Sequence, residues 1–141
     1  MRYRNSEGYS DPVAGEAIRR ADRFWRPLVY ICSPYSGDIE ENTRNARRYC
    51  RFAVDHGAIP LAPHLLLPQF MSEETERELA LFMGQVFLGL CEQVWVFGTR
   101  RSHGMKAEIA RAERKQIPVR YFTEELKEVG KDGVWQRKPG L

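Results

Sequence analysis

Val94-Trp95-Val96-Phe97-Gly98-Thr99-Arg100-Arg101-Ser102-His103-Gly104-Met105-Lys106-Ala107-Glu108 is the stretch that decides the fold. Four consecutive large apolar residues, 94–97, read as a strand covered on both faces, since a half-exposed strand would alternate. Residues 98–104 gather Gly, Ser and Arg, which is loop composition. Residues 105–115 then read as a helix. Strand, loop and helix in that order form half of a βαβ unit.

The same grammar recurs on either side. Upstream, residues 28–32 (LVYIC) are a second continuous apolar run, followed by a loop over 33–37. Asp38 and Glu41 make a capping-box-like start to a helix that runs to about His56 and closes at Gly57. Its inner stripe is Ile39, Thr43, Ala46, Cys50 and Ala53, and Arg44, Arg47, Arg48 and Arg51 lie opposite, a solvated face partly paired with Glu40 and Glu41. Residues 58–62 form a short strand that Pro60 weakens or places at a sheet edge. Residues 64–71 read as a loop. Ser72 caps a helix marked by Leu79, Phe82, Met83, Val86, Phe87 and Leu90. Downstream, residues 117–121 are a fourth strand, and Thr123 caps a short helix through Glu128. Ahead of all this, Asp11-Pro12 opens an extra helix with Val13, Ala17, Ala21, Phe24 and Trp25 on one face, ended by Pro27.

Four strand–helix alternations predict an α/β fold of Rossmann-like or flavodoxin-like type. Three α/β/α layers enclose a four- to five-stranded parallel sheet whose order begins 2-1-3-4, with the extra N-terminal helix outside it. Residues 1–27 are an extension, 28–129 the domain and 130–141 a polar tail. In such sheets ligands bind beyond the carboxyl ends of the strands, where strand order reverses. The loops there are 33–37 and 98–104.

Composition sets limits. The 141 residues are 43% hydrophobic and 29% charged, as in ordinary globular domains. No apolar run nears the ~20 residues of a membrane span. The start, MRYRNSEGYSDP, lacks a signal peptide's apolar core, and the odd, scattered Cys32, Cys50 and Cys91 argue for a reducing compartment. The expected location is cytoplasmic. His56, His64 and His103 show no zinc-ligand spacing, so neither metal nor cofactor is expected. A net charge of +3 suits an anionic small molecule but lacks the basic stripe of a nucleic-acid binder.

Residues 100–108 carry the most chemistry. A Ser- and Gly-bearing loop that opens a helix presents N–H groups at the positive end of the dipole, a site for phosphate or a sugar hydroxyl, with Arg100 and Arg101 nearby. By itself the loop is also explained by Ser102 capping the helix with solvated arginines. Glu108, one turn in, leans toward the crevice. A carboxylate there can attack an anomeric carbon, and it can equally serve as a surface partner of Arg111 or Lys115.

Residues 30–35 (YICSPY), 91–98 (CEQVWVFG) and 102–112 (SHGMKAEIARA) together resemble the nucleoside 2-deoxyribosyltransferase-like superfamily. The chain looks closest to its uncharacterised phage and bacterial branch. The likeness spans residues 28–121, and its most specific part is S-x-G-x-x-x-E-x-x-x-A. It implies that Glu108 is the nucleophile that takes the deoxyribosyl group and that Tyr35 orients it. It also implies that the Ser102–Gly104 turn receives a 5′-hydroxyl or 5′-phosphate. Ser33, Pro34, Gly37, Gly98, Arg101, His103 and Met105 complete the expected pocket. The resemblance further implies oligomers. With the apolar groups Phe24, Trp25, Leu65, Leu66, Leu67, Phe70 and Trp135, it predicts a homodimer or a dimer of dimers.

One departure stands out. The superfamily's acidic residue before the third strand is missing, and Gly84 or Gln85 occupies the place, with Glu92 at the strand's entrance. Two expectations follow: an enzyme that cleaves or exchanges an N-glycosidic bond of a deoxynucleoside or its 5′-monophosphate, or a non-catalytic nucleotide-binding module of the same fold. His64 or His103 can stand in for the acid only if the fold brings one of them to the crevice.

Overall fold

The computed structural model describes residues 13–16 and 25–132. Residues 13–16 are helical. The remainder of the leading helix, with Phe24, and the tail with Trp135 lie outside the described residues. The elements in chain order are β1 (Leu28–Cys32), α1 (Ile39–Asp55), β2 (Ile59–Leu61), α2 (Pro63–Leu66) with a 3-10 turn (Leu67–Gln69), α3 (Arg77–Leu90), β3 (Gln93–Phe97), α4 (His103–Arg114), β4 (Val119–Phe122) and β5 (Glu128–Val129).

The sheet order is β2-β1-β3-β4-β5. The first four strands run parallel, with Tyr30 beside Val94 and Val94 beside Val119 in register. The order reverses between β1 and β3, as the sequence predicts. β2 is an edge strand, which suits Pro60 because it has no N–H to give a further neighbour.

Two apolar clusters fill the two sides of the sheet. On one side Val29, Ile31, Trp95, Phe97 and Phe122 meet Tyr49 and Ala53 of α1. On the other, Tyr30, Cys32, Val94, Val96 and Tyr121 meet Leu88 of α3 and Met105, Ile109 and Ala112 of α4. Alternation along each strand divides the residues this way. α1 buries Ala46, Tyr49 and Ala53, whereas Ile39 of the expected inner stripe is 42% exposed. Asp38 is the N-cap, and its Oδ1 accepts from the Glu41 N–H.

Four expectations need correction. Residues 123–128 form no helix. Thr123 and Lys127 close a hairpin, Leu126 sits at φ 69°, and β5 pairs antiparallel to β4, so the fifth strand breaks the all-parallel pattern. Residues 64–71 are no open loop, because Pro63 starts α2 and the chain continues into the 3-10 turn. α3 begins at Arg77 rather than after Ser72. There the Ser72 N–H donates to Glu76 Oε1 and the Glu76 N–H to the Ser72 carbonyl, which spends the cap on a separate turn. α4 starts two residues earlier than expected, which places Gly104 inside its first turn.

Among the described residues no helix is long and apolar enough to cross a membrane. Nor do any three His, Cys, Asp or Glu cluster as a metal site would require. All three cysteines are free.

Candidate active site

α4 is built to present a carboxylate. Ser102 is its N-cap, with Oγ accepting from the Met105 N–H at 3.2 Å. Met105 and Ile109 bury toward the sheet and fix the helix's rotation. Glu108, three residues after Met105, shares that face and is carried inward. Its Oε2 is fully buried and has no partner. Its other contacts come from β1, where the Tyr30 hydroxyl and the Cys32 thiol both donate to the carboxylate. Cys32 Sγ also lies 3.9 Å from the Met105 carbonyl.

Burial raises the Glu108 pKa to about 7, and the bonds from Tyr30 and Cys32 hold it from rising further. The same proximity works on the donors. Burial first, and the Glu108 charge second, push both the Tyr30 phenol and the Cys32 thiol well above their ordinary values. Both therefore stay protonated and act as donors. A carboxylate that titrates near neutrality is poised for nucleophilic or acid–base work.

A Cβ built on Gly84 of α3 would lie 3.7 Å from the Tyr30 hydroxyl. Gly84 therefore lies next to the Tyr30 hydroxyl, with no side chain of its own between them. No proton donor stands there.

The sequence-predicted residues fall into separate groups. Glu108 and Met105 lie on the α3–α4 side of the sheet. Arg101 does too, its guanidinium 4.7 Å above the Tyr121 ring and its Nε buried without a partner. Ser33, 2% exposed, has a buried Oγ with no partner. Among the described residues just four buried side-chain polar atoms lack a partner, and those of Ser33, Arg101 and Glu108 all belong to this end of the sheet. Buried polar groups without partners are few in folded proteins, and a catalytic role is one recognised reason for them. Ser102, His103 and Gly104 are exposed at the start of α4.

Pro34 and Gly98 line a different space. With Glu41, Asn42, Asn45, Tyr49, Phe97, Arg100 and Glu124 they bound a cleft of about 250 Å³ on the α1 side. Gly98 adopts φ 96°, and a Cβ there would sit 3.3 Å from Glu124 Oε1, which accepts from the Thr99 N–H. Gly37, also at φ 96°, turns the loop into α1, while Asn42 Nδ2 donates to the Tyr35 and Ser36 carbonyls and ties that loop down.

Tyr35 is placed apart from the role the resemblance implies for it. Its ring stacks on His64 with centroids 4.9 Å apart, and its hydroxyl pairs with Glu73. The tyrosine that reaches Glu108 is Tyr30. Tyr30 escaped the sequence reading because a tyrosine inside an apolar strand reads as core. Its distance of two residues from Cys32, which puts both on one face, was the available signal. His64, half-buried, has its pKa lowered by burial, so the ring is neutral at pH 7. It reaches the β1 loop, whereas His103 sits exposed on α4.

Similarity to known proteins agrees with this architecture. Over 76% of this chain and 82% of the other, the fold is similar to a 2-deoxyribosyltransferase from the psychrotolerant bacterium Bacillus psychrosaccharolyticus, with a TM-score of 0.53 and 17% sequence identity. At that identity the likeness speaks for the fold. No curated protein matches the chain. Residues 27–122 match the family described as Domain of unknown function (DUF7768), and the chain belongs to that family.

Proposed function

We propose that the protein binds a deoxynucleoside or its 5′-monophosphate and cleaves or transfers the N-glycosidic bond, with Glu108 as nucleophile. The observation that carries this reading is the Glu108 carboxylate, buried at the start of α4, held by Tyr30 and Cys32, with one oxygen unpaired. In the proposed first step the carboxylate oxygen attacks C1′. The C1′–N bond breaks with its electron pair going to the base, which takes up a proton, and a glycosyl ester forms on Glu108. Attack on C1′ by water, or by a ring nitrogen of a second base, with loss of the attacker's proton to solvent, breaks the C1′–O ester bond, releases the sugar or a new nucleoside and restores the carboxylate. The exposed start of α4, with Ser102 and Gly104, receives the 5′ group at the helix dipole's positive end, and Arg101 is near enough to contribute charge. The ligand is a small molecule, and the fold's likeness to a deoxyribosyltransferase supports the substrate class.

A second reading is favoured by Gly84. Without an acid beside Tyr30, protonation of the departing base loses assistance typically worth ~10²–10⁴-fold. A non-catalytic nucleotide-binding module fits that loss. Incubation with a panel of deoxynucleosides and 5′-monophosphates, with free base read by chromatography, tests the first reading. Base release that disappears in Glu108→Gln supports it, and calorimetric binding without release of base supports the second.

A further inference from the structure

With Glu108 as the attacking group and the 5′ group at the start of α4, the direction of the base is set. In the sugar ring C1′, which carries the base, and C4′, which carries C5′, flank the ring oxygen, so their substituents diverge. α4 follows β3, and the base then points back across the reversal of strand order, toward β1 and β2. Two segments stand over the carboxyl ends of those strands. The loop over 33–37 follows β1, and α2 follows β2 after Ala62 alone.

One aromatic pair joins these segments. The Tyr35 and His64 rings stack at 16° with centroids 4.9 Å apart. The Tyr35 hydroxyl donates to Glu73, in the turn that leads into α3. That bond draws the pair to the side of the sheet where α3 packs and Glu108 is buried. The Tyr35 hydroxyl is thereby occupied. His64 is not, because burial is all that acts on it, with no hydrogen bond or charge from the described residues. A neutral imidazole carries one N–H. His64 thus holds a half-buried donor, steadied by a stacked ring and without an acceptor, at the end of the crevice to which the base points. His103 is at the opposite end, exposed in the first turn of α4.

We infer that His64 donates a hydrogen bond to the departing base, at a ring nitrogen or carbonyl oxygen where negative charge gathers, in place of the missing acid. This role rests on the nucleophilic reading of Glu108. The electron pair of the breaking C1′–N bond passes into the base, and the bond from His64 strengthens as that charge develops. The base takes its proton from solvent, and His64 keeps its own. A ring held neutral by burial suits such a donor.

Leaving-group dependence tests it. The panel runs from 2′-deoxyadenosine and thymidine, whose bases leave poorly, to 7-methyl-2′-deoxyguanosine, whose base departs neutral and needs no donor, each also as its 5′-monophosphate. His64→Phe keeps the stack on Tyr35 and removes the N–H, and His64→Ala gives a second reading should the larger ring disturb the fold. Loss of this donor should slow release of the poor leaving bases about 10²-fold and of 7-methylguanine less than about three-fold. Release of 7-methylguanine by the variant shows that it is folded. A uniform loss across the panel, or none, overturns the role of His64 and leaves that of Glu108 standing. A wild type that releases no base from any member overturns both.

Discussion

The two sides of this sheet are packed by different rules. On the α1 side the strands meet an aromatic stack. Tyr49 lies 4.4 Å from Phe97, Phe97 lies 5.0 Å from Phe122, and Phe52 edges against Trp95, Phe97 and Phe122. On the α3–α4 side the same strands offer a phenol, a thiol and a carboxylate among small and aliphatic residues, closed by a glycine. Ring stacking fills space and satisfies itself. The other side leaves a buried carboxylate oxygen unmatched, at a cost in stability that an ordinary core would avoid. One side holds the domain together, and the other buries a carboxylate beside a phenol and a thiol.

Mutation should separate them, and the largest effect is expected at Glu108. Glu108→Gln should lower base release by at least about 10³-fold, as loss of a nucleophile does, measured against deoxynucleosides at pH 7.5. Its stability should move the other way. Glu108 titrates near 7 when folded and from a reference of 4.5 when unfolded, so between those values the folded state holds more protons. Wild-type stability therefore declines as pH rises through that window, by about 3 kcal/mol at most. Urea titrations across pH 4 to 8 should show the decline in wild type and its absence in Glu108→Gln.

Phe97→Ala should give the mirror signature. Phe97 is fully buried between two stacked rings, so truncation should cost about 3–5 kcal/mol of unfolding free energy. Material that remains folded should keep its pH dependence, because the carboxylate's donors lie across the sheet. A pH profile shifted in that variant would blur the division between the sides.

Tyr30→Phe is an intermediate case that sharpens it. Removing a donor from the charged carboxylate should move the Glu108 midpoint above 7, since that bond lowers the pKa. Turnover at neutral pH should fall about 10-fold or more, with recovery toward alkaline pH. Tyr35→Phe should leave the midpoint where it is. The smallest effect belongs to the turn that follows β3. Gly98→Ala meets both a φ of 96° and the Glu124 carboxylate, and should cost about 1–2 kcal/mol in thermal unfolding.

The fold was legible because its signals are local. Continuous apolar runs at 28–32 and 94–97 declare covered strands, Asp38 and Ser102 declare helix starts, and Pro60 declares an edge. β5 was hidden because two residues carry no periodicity, and its turn depends on Leu126 at a positive φ that a leucine side chain does not advertise. Within the site, Glu108 was legible from its offset behind a Ser- and Gly-bearing helix start. Tyr30 and the Gly84 wall were not, because their meaning comes from a contact between β1 and α3 that no sequence spacing encodes.

Both margins of the sheet are short. Along one lies β2, three residues long with a proline at its centre; along the other lies β5, two residues long and reversed in direction. Open strand margins are where chains zip together without limit, and a proline or an abrupt stop denies the next chain a continuous row of N–H and C=O groups. Growth by strand addition is therefore discouraged at both margins that the described residues form. The molecule's apolar residues can be displayed on helices at little risk, because helical surfaces meet face to face and the meeting ends once each face is covered.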